Sequence, residues 1–276
     1  VYGAAGLEPE QIREHIREIK ALTDRPWALD LLVPIPGVFD AQIDVMLQEG
    51  CPIFLSALGM PTELLPRLRA AGMKIGAMVG APRHARKVAA AGVDFMVAQG
   101  TDAGGHTGNI GTFSLIPQVV AVAGDTPVLA AGGISHGSQL VAALAMGAQG
   151  VVMGTRFIAS DEAHALDSWK QRIVAAEASD TTLTRCYSGK QMRGFRNQYT
   201  DSWLGREADI LPFPQQMEVS LREGVLDLFG TSDDPDRGCL PTGQSCGGVR
   251  DVKPAADVVR DFMAEAQAAL GRVPTR

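Results

Sequence analysis

The sequence predicts a parallel α/β fold of the (β/α)8-barrel type that is short of one strand–helix unit. Three observations carry this. First, stretches such as Gly50-Cys51-Pro52-Ile53-Phe54-Leu55, Gly72 to Gly80, Gly92 to Ala98 and Gly147 to Gly154 share one order: an amphipathic run, a glycine, then a short apolar run. A glycine after an amphipathic run suits the left-handed position that closes a helix, where a Cβ would clash. Second, the apolar runs do not alternate with polar residues, as strands buried on both faces of a parallel sheet require. Third, 276 residues with 46% apolar side chains provide one large core or two small ones.

The elements follow in order. Strands are expected at Val1 to Ala5, Trp27 to Val33, Cys51 to Ser56, Lys74 to Val79, Val93 to Ala98, Pro127 to Ala131 and Gly150 to Gly154. Pro9 opens a helix whose apolar face is Ile12, Ile16, Ile19 and Leu22, and Pro61 leads Leu64, Leu65 and Leu68. Seven strands are one fewer than a closed barrel of this type holds. From Asp161 to about Gly248 the pattern stops, and Trp169, Trp203 and Phe213 stand among polar residues with a Pro212-Phe213-Pro214 turn. This segment reads as a mainly helical or irregular lid. Lys253-Pro254 then opens a helix with Val258, Val259, Phe262, Ala266 and Leu270 on one face. The expected organisation is therefore a barrel part over 1–158, a lid on the substrate side over 159–248 and a returning helix over 249–276.

Charge narrows the function classes. Lys plus Arg number 25 against 31 Asp plus Glu, a net charge of −6, which is the wrong sign for a phosphate-backbone binder. No apolar run approaches the roughly 20 residues that span a bilayer, and no signal-like segment opens the chain, so a cytoplasmic protein is expected. Cys51, Cys186, Cys239 and Cys246 lack the close spacing of a zinc site, so free thiols and no metal are expected.

The chemistry gathers at glycine-rich strand ends. Ala130-Ala131-Gly132-Gly133-Ile134-Ser135 and Gly154-Thr155-Arg156 follow consecutive strands, where barrels of this type hold phosphate; a lone glycine pair is otherwise only a tight turn. Gln99-Gly100-Thr101-Asp102-Ala103-Gly104-Gly105-His106-Thr107-Gly108 is the most informative stretch. Its glycines hold the backbone open, Gln99 offers an amide, and His106 can exchange a proton near neutrality, as acid, base or substrate orienter. His15, His84 and His164 read as outer-helix residues, His136 as a helix-start residue, and Asp102 as a turn stabiliser.

Gln99 to Gly108, Ala130 to Ile134 and Met153-Gly154-Thr155-Arg156-Phe157 together closely resemble the nitronate monooxygenase family, formerly the 2-nitropropane dioxygenases, in wording and in spacing. The related FMN-dependent enoyl reductases share the glycine–histidine loop. The resemblance implies an FMN-dependent TIM-type barrel in which Gln99 and Gly104 contact the flavin and Gly132, Gly133, Gly154 and Thr155 hold its phosphate. It makes His106 the catalytic residue facing the substrate. It also implies oxidation of alkyl nitronates by O2 to carbonyl compounds and nitrite, a small-molecule substrate, and scope for a homo-oligomer. Two departures qualify it. The family's first strand–helix unit, with its Pro-Met-type motif, is absent from this sequence, as in a fragment or a natural truncation. Asp30 stands where many relatives carry asparagine. The alternatives are an NAD(P)H-dependent FMN reductase of enoyl or other acyl thioesters or of quinones, and a non-catalytic truncated homologue. Thr200, Trp203 and Gln244 are pocket candidates that are equally suited to structural roles.

Overall fold

A computed structural model gives the architecture for residues 1–32, 39–227 and 234–272. Ten strands alternate with eleven helices among these residues. The first half runs β1 (Tyr2–Gly3), α1 (Pro9–Leu22), β2 (Ala28–Leu32), α2 (Asp40–Gln48), β3 (Ile53–Ala57), α3 (Leu65–Ala70), β4 (Lys74–Val79), α4 (Pro82–Ala90), β5 (Phe95–Gln99) and β6 (Gly105–His106). It continues with α5 (Thr112–Ala123), β7 (Val128–Ala131), α6 (Gly137–Ala145), β8 (Gly150–Val152), α7 (Thr155–Ile158) and α8 (Asp167–Ala175). The rest is β9 (Thr181–Thr184), β10 (Met192–Phe195), α9 (Gln198–Ser202), α10 (Gln215–Arg222) and α11 (Ala255–Leu270).

All seven expected strands pair in one sheet, in the order β1-β2-β3-β4-β5-β7-β8, and every pairing is parallel. Several ends shift by one or two residues, as strand ends commonly do. Val33, the expected end of the second strand, lies outside the described residues. Among those residues β1 pairs with β2 alone and β8 with β7 alone, so the sheet curls as an open barrel wall.

The packing has two layers. Leu29, Leu31, Phe54, Ile75 and Met96 face outward into the core shared with the helices, where they meet Ile12 and Ile16 of α1. Pro9 begins α1 with φ preset for a helix, and Glu8 and Gln11 close a reciprocal cap around its first turn. The inner face gathers Leu55, Val97 and Ala131 with Met78, Phe95 and Val152. The Phe95 ring lies over Gly76, where a Cβ would stand only 2.2 Å from it, so large and small residues alternate across neighbouring strands. On the outside, α11 packs on α6 so closely that a Cβ on Gly137 would lie 2.2 Å from Ala266 N.

The mainly helical or irregular segment expected after residue 158 also contains a small sheet. β9 and β10 form an antiparallel pair there, and β10 also pairs with β6, joining this segment to the glycine-rich loop. The Thr181-Thr182-Leu183-Thr184 stretch carries β-branched residues that suit a strand, but it lacks the flanking glycines that mark the barrel strands. β6 is two residues long and is held by its partner rather than by its own propensity.

Candidate active site

The C-terminal ends of β2 to β5 deliver their side chains to one cleft of about 550 Å3. Apolar walls come from Leu32, Ala57, Met60, Met78, Val79 and Val88, and polar groups from Asp30, Gln99, His106, Lys190 and Gln191. Few polar groups converging on an apolar concavity are the usual composition of a small-molecule site.

The glycine-rich loop is shaped chiefly by contact with protein. A Cβ on Gly100 would lie 2.3 Å from Thr112 N, one on Gly104 2.7 Å from Gly243 N, and one on Gly108 2.5 Å from Gly80 O. Gly105 alone of the four faces open space, and its φ of +76° favours glycine. Side chains then fix the loop. Gln99 Nε2 donates to His106 O at 3.0 Å, Thr107 Oγ1 donates to Gly100 O at 3.0 Å, and Gln191 Nε2 donates to Gly108 O at 2.6 Å. Asp102 Oδ2 accepts from Thr112 N at 2.7 Å, so this carboxylate holds the start of α5 and serves the turn.

His106 is brought to the centre of the site. Its Nε2 lies 2.8 Å from Ser188 Oγ. Burial, aided by the nearby Lys190 charge, pushes the imidazole down to about 4, so it is neutral near pH 7. Lys190 N donates to Ser188 Oγ at 3.3 Å, and the Lys190 ammonium sits 4.4 Å from the centre of the Phe213 ring. A second chamber of about 360 Å3 adjoins the cleft, walled by Trp169, Phe213, Met217, Leu226, Leu240 and Pro241. His106 lines both spaces.

Gln99 and Gly104 line the cleft with His106, whereas Gly132, Gly133, Gly154 and Thr155 do not. These four stand at the ends of β7 and β8. Gly132 and Gly133 take φ of +101° and +73° and pack on the loop at Ala103 and Asp102. Gly154 faces open space, with no atom within 4 Å of a Cβ position. Thr155 is buried, and its Oγ1 accepts from Gly243 N at 2.9 Å, which ties the segment near residue 243 to the strand end.

Asp30 lies on the cleft wall with Oδ1 buried and unpartnered, and burial pushes its carboxyl up to about 6. Thr200 is buried in the cap of α9, where its N–H donates to Asn197 Oδ1 at 2.9 Å. It lines neither space, and nor do Trp203 and Gln244.

The outer histidines divide. His15 packs against Tyr2, its Nδ1 2.6 Å from the phenol oxygen, and His136 caps α6 by accepting from Ser138 N at 3.1 Å. His164 is exposed ahead of α8 rather than within a helix. His84 is an exposed residue of the outer helix α4, as expected, and it also reaches the cleft rim with Lys87. Helix periodicity marks the buried face of α4 but not the end of it that overhangs a strand terminus. Sequence reasoning also missed Ser188, Lys190 and Gln191. Their one signal is position, on the turn leading into β10, and that is visible only once β10 pairs with β6. Among the described residues no His, Cys, Asp and Glu cluster could hold a metal, all four cysteines are free, and no helix is long and apolar enough to cross a membrane.

A model of the nitronate monooxygenase family matches residues 33–265. The chain belongs to the nitronate monooxygenase family. It is similar to a Mycobacterium tuberculosis protein named "Putative monooxygenase Rv1533", with 36% identity over 94% of this chain and 75% of the relative. A (3aS,4S,5R,7aS)-5-hydroxy-7a-methyl-1-oxo-octahydro-1H-indene-4-carboxyl-CoA dehydrogenase from the same organism is also 36% identical, over 73% of this chain and 57% of its own length. Among solved structures, the nitroalkane oxidase of Streptomyces ansochromogenes superposes with a TM-score of 0.87 and 28% identity, covering 99% of this chain and 89% of that one. Nitronate monooxygenase family membership makes this chain an oxidoreductase enzyme of a flavin-dependent group with a TIM-type barrel fold.

Proposed function

We propose that the chain is an FMN-dependent oxidase that converts alkyl nitronates and O2 to carbonyl compounds and nitrite. The carrying observation is the neutral, half-buried His106 lining both a mixed apolar–polar cleft and an apolar chamber. The residues present fit a flavin: the cleft offers apolar walls for a flat ring, with Gln99, the unpartnered Asp30 oxygen and Lys190 at its edges. Gln99 and Gly104 would meet the ring, while Gly132, Gly133, Gly154 and Thr155 would hold the phosphate at the ends of β7 and β8, where such barrels commonly bind it. The flavin, when bound, supplies the electron-transfer chemistry.

The chain's own residues do the rest. Because His106 is neutral, it meets an anionic nitronate as a hydrogen-bond partner rather than a counter-charge, and it can take a proton from a neutral nitroalkane. Positive charge for the nitro oxygens comes from Lys190. The segment 159–248 forms the substrate-side cover, with Trp169 and Phe213 against the organic part of the substrate. The protein acts in the cytoplasm on a small molecule, without nucleic acid, and is compatible with homo-oligomers. Purified protein reconstituted with FMN should consume oxygen when given propyl nitronate and lose that activity in His106→Ala and His106→Asn. Tight FMN binding without nitronate turnover would refute the substrate while leaving the flavin reading intact.

A second reading, reduction of an acyl thioester by NAD(P)H through FMN, is favoured by the apolar chamber of about 360 Å3 and by the carboxyl-CoA substrate in the name of one relative. Rapid anaerobic bleaching of the flavin by NADH or NADPH would select it.

A further inference from the structure

Alternation along β2 sends Leu29 and Leu31 to the outer core, where both are buried, and turns Asp30 and Leu32 to the ligand cleft. Asp30 is therefore the one acid that the strands β2 to β5 present to this cleft. Its Oδ1 is buried without a hydrogen-bond partner, and the carboxylate makes no ion pair among the described residues. The cationic side chains of the cleft, Lys87 and Lys190, pair with it in no salt bridge. Such a group is costly: a buried carboxylate oxygen without a partner forfeits its hydration, and an apolar residue of similar size would pack there at less expense. A carboxyl in this position is accounted for by a ligand.

We infer that Asp30 is a positioning and tuning residue for the ring bound in this cleft: its carboxyl contacts the ring, and its negative charge opposes placing electrons there. The inference rests on the flavin reading above. Two-electron reduction of a neutral flavin with uptake of one proton leaves the ring with one negative charge. A nearby carboxylate repels that charge in the low-dielectric cleft, so the wild-type protein holds its flavin at a lower potential than a neutral variant would. Asparagine at this position keeps the size and removes the charge.

The test compares FMN-reconstituted wild type with Asp30→Asn by dye-equilibrated reduction at pH 8. At a fixed solution potential the oxidised-to-reduced ratio should fall about tenfold in Asp30→Asn, a rise of about 30 mV for a two-electron couple. A second variant guards against misfolding. FMN-free Asp30→Leu should melt at a higher temperature than FMN-free wild type, because the orphaned oxygen is gone, and should bind FMN more weakly by fluorescence quenching. If wild type and Asp30→Asn both hold FMN at one shared potential, the inference about Asp30 falls while the flavin reading stands. If wild-type protein shows no flavin spectrum after reconstitution, the flavin reading falls and takes this inference with it.

Discussion

Ser188 Oγ stands 2.8 Å from His106 Nε2 and joins a turn beyond residue 158 to the glycine-rich loop of the barrel. Lys190 N–H donates to the same hydroxyl at 3.3 Å, and the hydroxyl donates in turn to Lys190 O at 3.2 Å. With its hydrogen on Lys190 O, the hydroxyl oxygen is left to accept from Nε2–H, so Ser188 favours the tautomer that carries its proton on Nε2. Ser188→Ala strands Nε2 without its protein partner, at a cost of about 1–3 kcal/mol. Its turnover of nitronate should drop about tenfold, against roughly 100-fold or more for His106→Asn, on the scale of general acid–base effects. Steady-state oxygen consumption with FMN-loaded protein measures both, and equal rates for Ser188→Ala and wild type would remove the positioning role.

Two half-buried groups give stability an unusual pH dependence. His106 titrates near 4 in the folded chain against about 6.5 unfolded. As pH falls from 6.5 towards 4 the unfolded state takes up a proton that the native state refuses, and stability is lost. Asp30 has the opposite sign, titrating near 6 folded against 3.8. The native state holds its proton through this window while the unfolded state loses it, so falling pH restores stability. The two slopes oppose each other between about pH 4 and 6. Urea midpoints across that window should be flatter in wild type than in Asp30→Asn, which loses stability more steeply on acidification. His106→Gln should instead gain stability as pH falls.

Glycines at the two ends of the site should respond differently to alanine. Gly104→Ala drives a methyl to 2.7 Å from Gly243 N, an overpacking worth about 1–3 kcal/mol of stability. Gly154 has φ of −106° and nothing near its Cβ position, so alanine there should leave the thermal midpoint unchanged. If this strand end holds the flavin phosphate, Gly154→Ala should weaken FMN binding about tenfold, about 1.4 kcal/mol on the affinity scale. Thermal melts of the FMN-free proteins and flavin-fluorescence titrations separate the two effects.

Arg193 fastens β10 to the loop from beneath. It is 7% exposed, and its guanidinium donates to Thr101 O at 2.7 Å and to Thr181 Oγ1 at 3.0 Å. Arg193→Met keeps the bulk and leaves both acceptors unmet, so a loss of roughly 2–4 kcal/mol is expected. The midpoint of chemical unfolding reads this directly. Arg193→Lys, which restores charge but not the fork, should recover only part of the loss.

The barrel wall was legible because each unit repeats its own punctuation. Gly50, Gly72, Gly92 and Gly147 all take positive φ directly before a strand or the turn leading into one, so the glycine pattern reported backbone conformation itself. The loop carrying His106 was equally legible, since Gly100, Gly104 and Gly108 sit where neighbouring backbones leave no room for a Cβ and Gly105 takes a positive φ. Ser188, Lys190 and Gln191 were not. Their contribution depends on β10 lying against β6, a pairing between residues more than eighty positions apart that no local period encodes. Thr200 and Trp203 show the converse: residue types that suit a pocket serve instead to cap and pack α9. His84 lies exposed in an outer helix as expected, and its place at the cleft rim depends on which end of the helix overhangs the strand termini, which periodicity does not report.

Met192 opposes His106 across the β10–β6 pairing, so His106 belongs to the same small sheet as β9 and β10. β9 and β10 cannot move away from the barrel as a hinged door without unzipping the strand that carries His106. Exchanging residues 159–248 alone with another protein would sever that sheet and leave His106 without Ser188. A transplant that keeps this geometry must carry Gly105–His106 and its strand partners together, as one inherited unit rather than two interchangeable parts.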